Sequence, residues 1–358
     1  MFVVIMAGGS GTRFWPSSRK GKPKQFLNIL GEKPMVVETC DRLAPLARDE
    51  EMVLVLGREH LEEAGALFGT RKIHMLAEPV GRNTAPCIGL GAIYADHLGY
   101  KGPVAFLPAD HFIRDTRILV ADLKRAGELA EAGGIVTLGI VPTRPETGYG
   151  YIRRSETEVG SSEKPVYRVS AFVEKPDPKR AAEYLASRKY FWNAGIFVAT
   201  AETITNQVER HLPELYHGLS RLRKTIGTDP FVEELESVYE GLEAISFDYG
   251  IMERTKDPVY VLPSECGWSD VGSWASLYEL RDQDHDRNRN LSDVDSIMVD
   301  CEGSFVSSQS GRLVACLGLK NCLIVDTPDA LLVADLGRSQ DIRTIIEQLM
   351  NSKKDDLL

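Results

Sequence analysis

Short apolar runs alternating with helix-like segments fill the first 140 residues, and this alternation constrains the fold more than any other feature. FVVIMA (2–7), MVLVLG (52–57), IHMLAEP (73–79), VAFLP (104–108) and IVTLGI (135–140) are almost continuously apolar, as strands covered on both faces are. Between them, PMVVETCDRLAPL (34–46), TAPCIGLGAIYADHL (84–98) and TRILVADLKRAGELAEAG (116–133) carry helical patterning. Strand, helix, strand in repetition predicts a mostly parallel sheet with helices on both sides, an α/β class. Ligands of such sheets bind beyond the carboxyl ends of the strands. The residues that follow each apolar run therefore carry the functional information.

The middle of the chain is less regular. YGYIRR, YRVSAFVEKP and YFWNAGIFVAT predict a mixed or antiparallel extension of the sheet, followed by helices around 201–240. AISFDYGIM and PVYVLP return to strand character, and GSWASLYEL (272–280) opens a helix. After the polar connector RDQDHDRNRN (281–290), short strand-like pieces (SIMVD, SFVSS, LVACL, CLIVDT, ALLVADL) follow at close intervals. Regular short strands predict a small C-terminal β-domain of β-helix type. The expected division is 1–285 for the main domain and 286–358 for the β-rich one.

Charge and cysteine usage exclude several classes. A net charge of −10 argues against a nucleic-acid partner, because phosphate backbones are bound by basic faces. No run approaches the ~20 apolar residues of a membrane span, and FVVIMA is too short for a signal-peptide core. Cys40, Cys87, Cys266, Cys301, Cys316 and Cys322 form no CxxC pair. They read as buried free thiols of a reducing compartment, so a cytoplasmic protein is expected.

Against that acidic background, MAGGSGTRFWPSSRKGKPKQF (6–26) stands out as glycine-rich and basic. It fits neither GxGxxG, since Phe14 takes the third glycine position, nor a P-loop. A mobile solvated turn is one reading. The other is an anion cradle: backbone N–H groups around Gly8, Gly9, Gly11 and Thr12 approach phosphate oxygens, with Arg13 and a downstream lysine adding charge. Further on, EPVGRNTAP offers Asn83 or Thr84 as a helix N-cap with Pro86 in the first turn. It also offers Glu78, a carboxylate able to accept from two N–H donors of guanine, and Arg82, able to reach a phosphate or ring carbonyl. FLPADHFI ends a buried strand with Asp110, a natural Mg²⁺ ligand or a turn residue. CGWSDVGSW supplies Asp270, which by itself could equally N-cap the helix that follows.

These segments together resemble the sugar-nucleotide pyrophosphorylases. AGGSGTRFWPSSR with KPKQFL is similar to the form GGSGTRLWPLSR…PKQF found among the mannose-1-phosphate guanylyltransferases, with Phe14 and Ser17 in place of leucine at packing positions. The resemblance implies a Rossmann-like nucleotidyltransferase domain with a mixed, mostly parallel sheet. It further implies that Arg13 and Lys24 contact phosphates, that EPVGRNTAP contacts guanine and ribose, and that Asp110 and Asp270 share one Mg²⁺ or another divalent cation. PETGYGYI, FVEKP and WNAGIFV resemble the sugar-phosphate half, with Gly148, Glu174 and Asn193 suited to hydroxyls and Lys175 to the sugar's phosphate. Asp248 in ISFDYGIME belongs to the sugar or metal surroundings on the same ground. Lys20 and Lys22 read as solvated charges.

The expected reaction is transfer of GMP from GTP to mannose 1-phosphate with release of pyrophosphate. Rival readings are a pyrophosphorylase for another sugar or base, a glycosyltransferase, and a non-catalytic nucleotide sensor. The HxH-and-Glu cluster of an isomerase domain is absent from 286–358, so a monofunctional enzyme is expected. Apolar faces on the C-terminal strands make a homodimer the expected assembly.

Overall fold

The five apolar runs of the first 140 residues all form strands: β1 (Phe2–Ala7), β2 (Met52–Gly57), β3 (His74–Glu78), β4 (Pro103–Pro108) and, after the two-residue β5 (Phe112–Ile113), β6 (Ile135–Ile140). The three intervening patterns form α1 (Met35–Leu43), α3 (Thr84–His97) and α4 (Thr116–Glu131), and a further helix that the patterning did not mark, α2 (Leu61–Phe68), lies between β2 and β3. The coordinates are a computed structural model and describe residues 1–9, 11–159 and 164–358. They divide into two compact units: Met1–Gly8 with Val37–Ala109 and Ile113–Trp268, and Gly9–Val36 with Asp110–Phe112 and Ser269–Leu358. Compactness thus groups residues that are far apart in sequence, rather than following one cut along the chain.

In the first unit, β7 (Tyr151–Glu158), β8 (Tyr167–Val173), β9 (Tyr190–Thr200) and β10 (Val259–Ser264) complete a sheet that has nine strands among the described residues. Its order is β3-β2-β1-β4-β9-β6-β10-β8-β7. Strands β3, β2, β1 and β4 are mutually parallel, β9 runs antiparallel between β4 and β6, and β7 and β8 form the antiparallel edge. Continuous apolarity has the expected cause. Phe2 and Val4 of β1 join the core built with α3, while the equally buried Val3 and Ile5 alternate to the opposite face. After α5 (Pro178–Ser187), the helices α6 (Ala201–His211), α7 (Pro213–Arg223) and α8 (Phe231–Gly241) extend the α3 layer. One expectation fails: AISFDYGIM is not a strand, because Asp248–Met252 forms a wide helical turn. Phe247, Ile251 and Met252 are buried while Tyr249 is 45% exposed, a spacing for a turn over the core rather than for alternation.

The second unit carries β12 (Leu291–Ser292), β13 (Ser296–Val299), β14 (Phe305–Ser308), β15 (Val314–Leu317), β16 (Cys322–Asp326) and β17 (Leu331–Asp335), with β11 (Trp268–Ser269) before them at the unit boundary. Alternate strands stack in parallel, β12 on β14 on β16 and β13 on β15, which is the ladder pattern of a coiled β-helix. Cys301, Val306, Cys316 and Ile324 fill its interior. Two helices, α9 (Trp274–Leu280) and α10 (Ile342–Asn351), close the unit around a core that includes Phe14, Trp15, Trp274 and Phe305.

Candidate active site

The glycine-rich segment is a pinned turn. Phe14 is fully buried and lies 5.1 Å from the Trp274 ring, the Trp15 indole donates to the Leu357 carbonyl at 2.8 Å, and Trp274 donates back to the Trp15 carbonyl. Gly11 has φ +56° and its α-carbon presses on the Lys24 backbone, leaving no room for a Cβ. Glycine is required there for both reasons. Lys20 and Lys22 are exposed, as solvated charges are. Arg13 is exposed too, and makes no ion pair with any described residue.

Lys24 is turned inward, in a short helical turn with the buried Gln25 and Phe26. Its side chain is 6% exposed, and its ammonium donates to the Asp110 carbonyl at 2.8 Å, to Asp110 Oδ2 at 2.9 Å and to the Asp270 carbonyl at 2.6 Å. Arg13, Lys24, Asp110, His111 and Asp270 line a single cavity of about 270 Å³. Burial acts to raise the Asp110 carboxyl, but the Lys24 ammonium and His111 outweigh it and hold the group below the usual carboxylate range. Asp270 does not cap a helix. Its Oδ1 accepts from the Gly272 backbone at 3.1 Å, and α9 begins only at Trp274, capped by Ser273. Between Asp270 and Gly272, the buried Val271 is held at φ +44°, a strained conformation for a β-branched residue of the kind that collects at functional sites.

This donor set suits a hard divalent cation. Both acidic groups offer oxygen, and Mg²⁺ takes one or two carboxylates and completes its shell with water and phosphate. Among the described residues no group of three or more His, Cys, Asp or Glu side chains could cage a metal alone, so a cation there would complete its shell with water or with ligand oxygens. A larger cavity, of about 1050 Å³, is lined by α9 and by turns between the strands of the β-coil. It is lined by charges of both signs, including Arg287, Arg289, Asp300 and Glu302, and by none of the motif residues.

The first unit holds the remaining motifs in two clusters. At the end of β3, Glu78 is 3% exposed, accepts from the Tyr239 hydroxyl at 3.0 Å, and lies where a Cβ on Gly8 would come within 2.9 Å of it. Burial pushes its carboxyl up to about 7 against the opposing Tyr239 hydrogen bond. The Arg82 guanidinium donates to the Tyr239 and Glu240 carbonyls at the end of α8. It binds the negative pole of that helix there. Asn83 is the N-cap of α3, with its side chain accepting from the Thr84 backbone at 2.9 Å, and Thr84 Oγ1 accepts from the Phe247 backbone.

The second cluster centres on Asn193. Its Oδ1 accepts from the Gly195 backbone at 3.1 Å and its Nδ2 donates to Asp248 at 2.8 Å. Glu174 pairs with Lys175 at 2.7 Å, and the Glu253 carboxylate accepts from the Glu174 backbone. Lys175 itself has φ +46°. Gly150 gives the close approach: its carbonyl accepts from the Asn193 backbone at 2.8 Å, and a Cβ would strike the Glu174 carboxylate. Gly148 instead donates its N–H to Glu146 at 3.0 Å. Sequence reading missed Gly150, Tyr239 and Glu253. Gly150 and Glu253 lay in quoted motifs, whereas nothing local marks Tyr239.

Asp248 carries a measurable consequence. Burial, reinforced by the charge of Glu174, pushes its carboxyl up to about 7, with the Asn193 hydrogen bond opposing. The folded state thus binds a proton that the unfolded chain has released, so stability falls as pH rises from the unfolded value near 4 to about 7 and then levels off. Asp248→Asn removes that loss. Relative to the parent, the variant is expected to gain about 2–4 kcal/mol between about pH 5 and about pH 8 in urea unfolding. A constant difference across that range contradicts the assignment.

The chain matches the Nucleotidyl transferase family over residues 2–287 and the MannoseP isomerase/GMP-like beta-helix domain over residues 295–349. It is 38% identical to the mannose-1-phosphate guanylyltransferase RfbM of Salmonella typhimurium over 99% of this chain and 73% of that protein. A mannose-1-phosphate guanylyltransferase of Escherichia coli is also 38% identical, over 98% of this chain and 73% of that protein. A crystal structure from Thermus thermophilus, described as a mannose-1-phosphate geranyltransferase, superposes with a TM-score of 0.86 at 35% identity, covering 98% of this chain and 99% of that one.

Proposed function

The chain belongs to the nucleotidyl transferase family, and from that membership we propose that it transfers GMP from GTP to mannose 1-phosphate, releasing pyrophosphate. The observation that carries the proposal is the meeting of Lys24, Asp110 and Asp270 in one cavity with Arg13, which has no ion-pair partner among the described residues. Such a cluster suits a reaction whose difficulty is charge. The attacking sugar phosphate is already an anion, so no general base is needed, and the protein's task is to bring two anions together in line.

Asp110 and Asp270 would hold a divalent cation, which when bound supplies Lewis-acid neutralisation of phosphate oxygens. Arg13 would then bind the triphosphate and stabilise its developing negative charge, and the backbone around Gly8, Gly9, Gly11 and Thr12 would orient it. Within the first unit, Glu78 offers carboxylate oxygens suited to the N–H donors of guanine, with Arg82, Asn83 and Thr84 in the same motif proposed for the nucleotide. Glu174, Asn193 and Asp248 form a hydrogen-bonding set suited to vicinal sugar hydroxyls, with Gly148 in the adjoining loop and Lys175 bringing charge for the sugar's phosphate. The deciding experiment measures pyrophosphate release with GTP, UTP and dTTP against mannose and glucose 1-phosphates. GTP with mannose 1-phosphate is expected to give the highest kcat/KM, and preference for another pair refutes the assignment.

Two further parts of the proposal concern the whole molecule. Ile297 and Val299 on β13 stand opposite Ala315 and Leu317 on β15, and Ile297, Val299 and Leu317 are 49%, 47% and 73% exposed. This apolar face supports pairing of two copies through the coil. Light scattering is expected to give a dimer that Leu317→Asp converts to monomer, and a monomeric parent at micromolar concentration rejects the pairing. The six cysteines are all free thiols, five of them buried, which supports a cytoplasmic setting. Among the described residues, no helix is long and apolar enough to cross a membrane.

A further inference from the structure

An ammonium group has three N–H donors, and Lys24 has an acceptor for each: the Asp110 carbonyl at 2.8 Å, Asp110 Oδ2 at 2.9 Å and the Asp270 carbonyl at 2.6 Å. The Phe14 ring lies 5.9 Å from the same nitrogen. Oxygen atoms of both aspartates therefore already converge on a cation, and that cation belongs to the chain. From this geometry we infer that Lys24 is an internal placeholder in the divalent-cation site. It makes the free protein a poor metal binder, and metal and triphosphate bind cooperatively because the triphosphate takes over the ammonium.

The inference rests on the proposed nucleotide only for the identity of the triphosphate. Its physical basis is local. Lys24 already holds one of the two Asp110 carboxylate oxygens, and a dication placed beside an ammonium 6% exposed would meet like-charge repulsion with little solvent to screen it. Without the Asp110 carboxylate, Lys24 keeps two carbonyl acceptors but no counter-charge, so its release is favoured when another anionic acceptor is supplied. Phosphate oxygens are such acceptors. The Lys24 backbone is fixed by the close approach of Gly11, so only the flexible four-carbon side chain has to turn. Coupling of this kind is reciprocal, and the cation should tighten triphosphate binding by the same factor by which the triphosphate tightens cation binding.

The test uses Mn²⁺ as a spectroscopically visible divalent ion, titrated without nucleotide and followed by electron paramagnetic resonance of the free ion. Lys24→Gln is expected to bind Mn²⁺ on the order of tenfold more tightly than the parent, since a neutral amide replaces the competing cation. Unchanged or weaker binding by a Lys24→Gln variant with a normal melting transition overturns the inference. Asp110→Asn gives an independent reading. Added to Lys24→Gln, it should abolish the gain in Mn²⁺ affinity, because that gain comes from the carboxylate freed of its ammonium, and a double variant that keeps the gain overturns the inference as well. Neither titration contains nucleotide or sugar phosphate, so an error in the proposed substrates would appear only in the pyrophosphate-release assay.

Discussion

Arg13→Ala is expected to lower kcat by about 10²–10³-fold, the usual loss when one group that stabilises developing charge is removed. The size follows from where the residue stands. Arg13 lies on the wall of the cavity shared by Lys24, Asp110 and Asp270, so its guanidinium is available to a ligand. Because it is exposed and makes no ion pair with a described residue, the substitution should move the melting temperature by no more than a surface change does, within about 0.5 kcal/mol. The fold does not depend on it, since the turn is pinned by Phe14 and Trp15. A steady-state assay with a melt on the same sample separates the two effects. Turnover within about threefold of the parent, with an unchanged melt, would remove Arg13 from the chemistry.

Asp110→Asn should cost a comparable factor in turnover, about 10²–10³-fold, for a different reason and with a different signature. The amide keeps the shape and one acceptor oxygen but loses the charge that balances Lys24 and that, on the proposed mechanism, would bind a cation. Two carbonyls still accept from the ammonium, and the Asp110 side chain is 34% exposed. Solvent therefore screens part of the loss, and destabilisation of about 1–2 kcal/mol is expected rather than the larger penalty of a fully buried unpaired charge. The rate must be measured well below the shifted melting transition. Raising the Mn²⁺ concentration in the presence of GTP should recover part of the activity of Asp110→Asn and none of that of Arg13→Ala, since only the first change weakens a cation ligand. Equal recovery in both would show that the two residues do not divide the work as described.

The cluster around Asn193 shows how much of a local arrangement a motif can specify. Glu174 and Asn193 were legible because their segments resemble a known pattern in order and spacing, and they do meet the same neighbours. The choice of glycine was not legible. PETGYGYI contains two, and only the path of the chain decides that Gly150 lies against Glu174 while Gly148 turns toward Glu146. Arg82 is similar: its place in the motif suggested a ligand contact, but its partners are two carbonyls at the end of a helix more than 150 residues away in sequence.

Taken alone, the order of residues determined the layered first unit and the coiled strands of the second, because burial leaves a periodic trace: unbroken apolar runs where both faces of a strand are covered, and short regular strands where a coil repeats. Tertiary structure alone decided which residues share a compact unit, so that 9–36 and 110–112 gather with 269–358. It decided too that AISFDYGIM winds into a turn and that Lys24 is held by carbonyls and a carboxylate 86 and 246 positions away. The reason is range. Periodicity is a property of neighbours along the chain, whereas a side chain's hydrogen-bond partner is set by whichever distant segment folding brings against it.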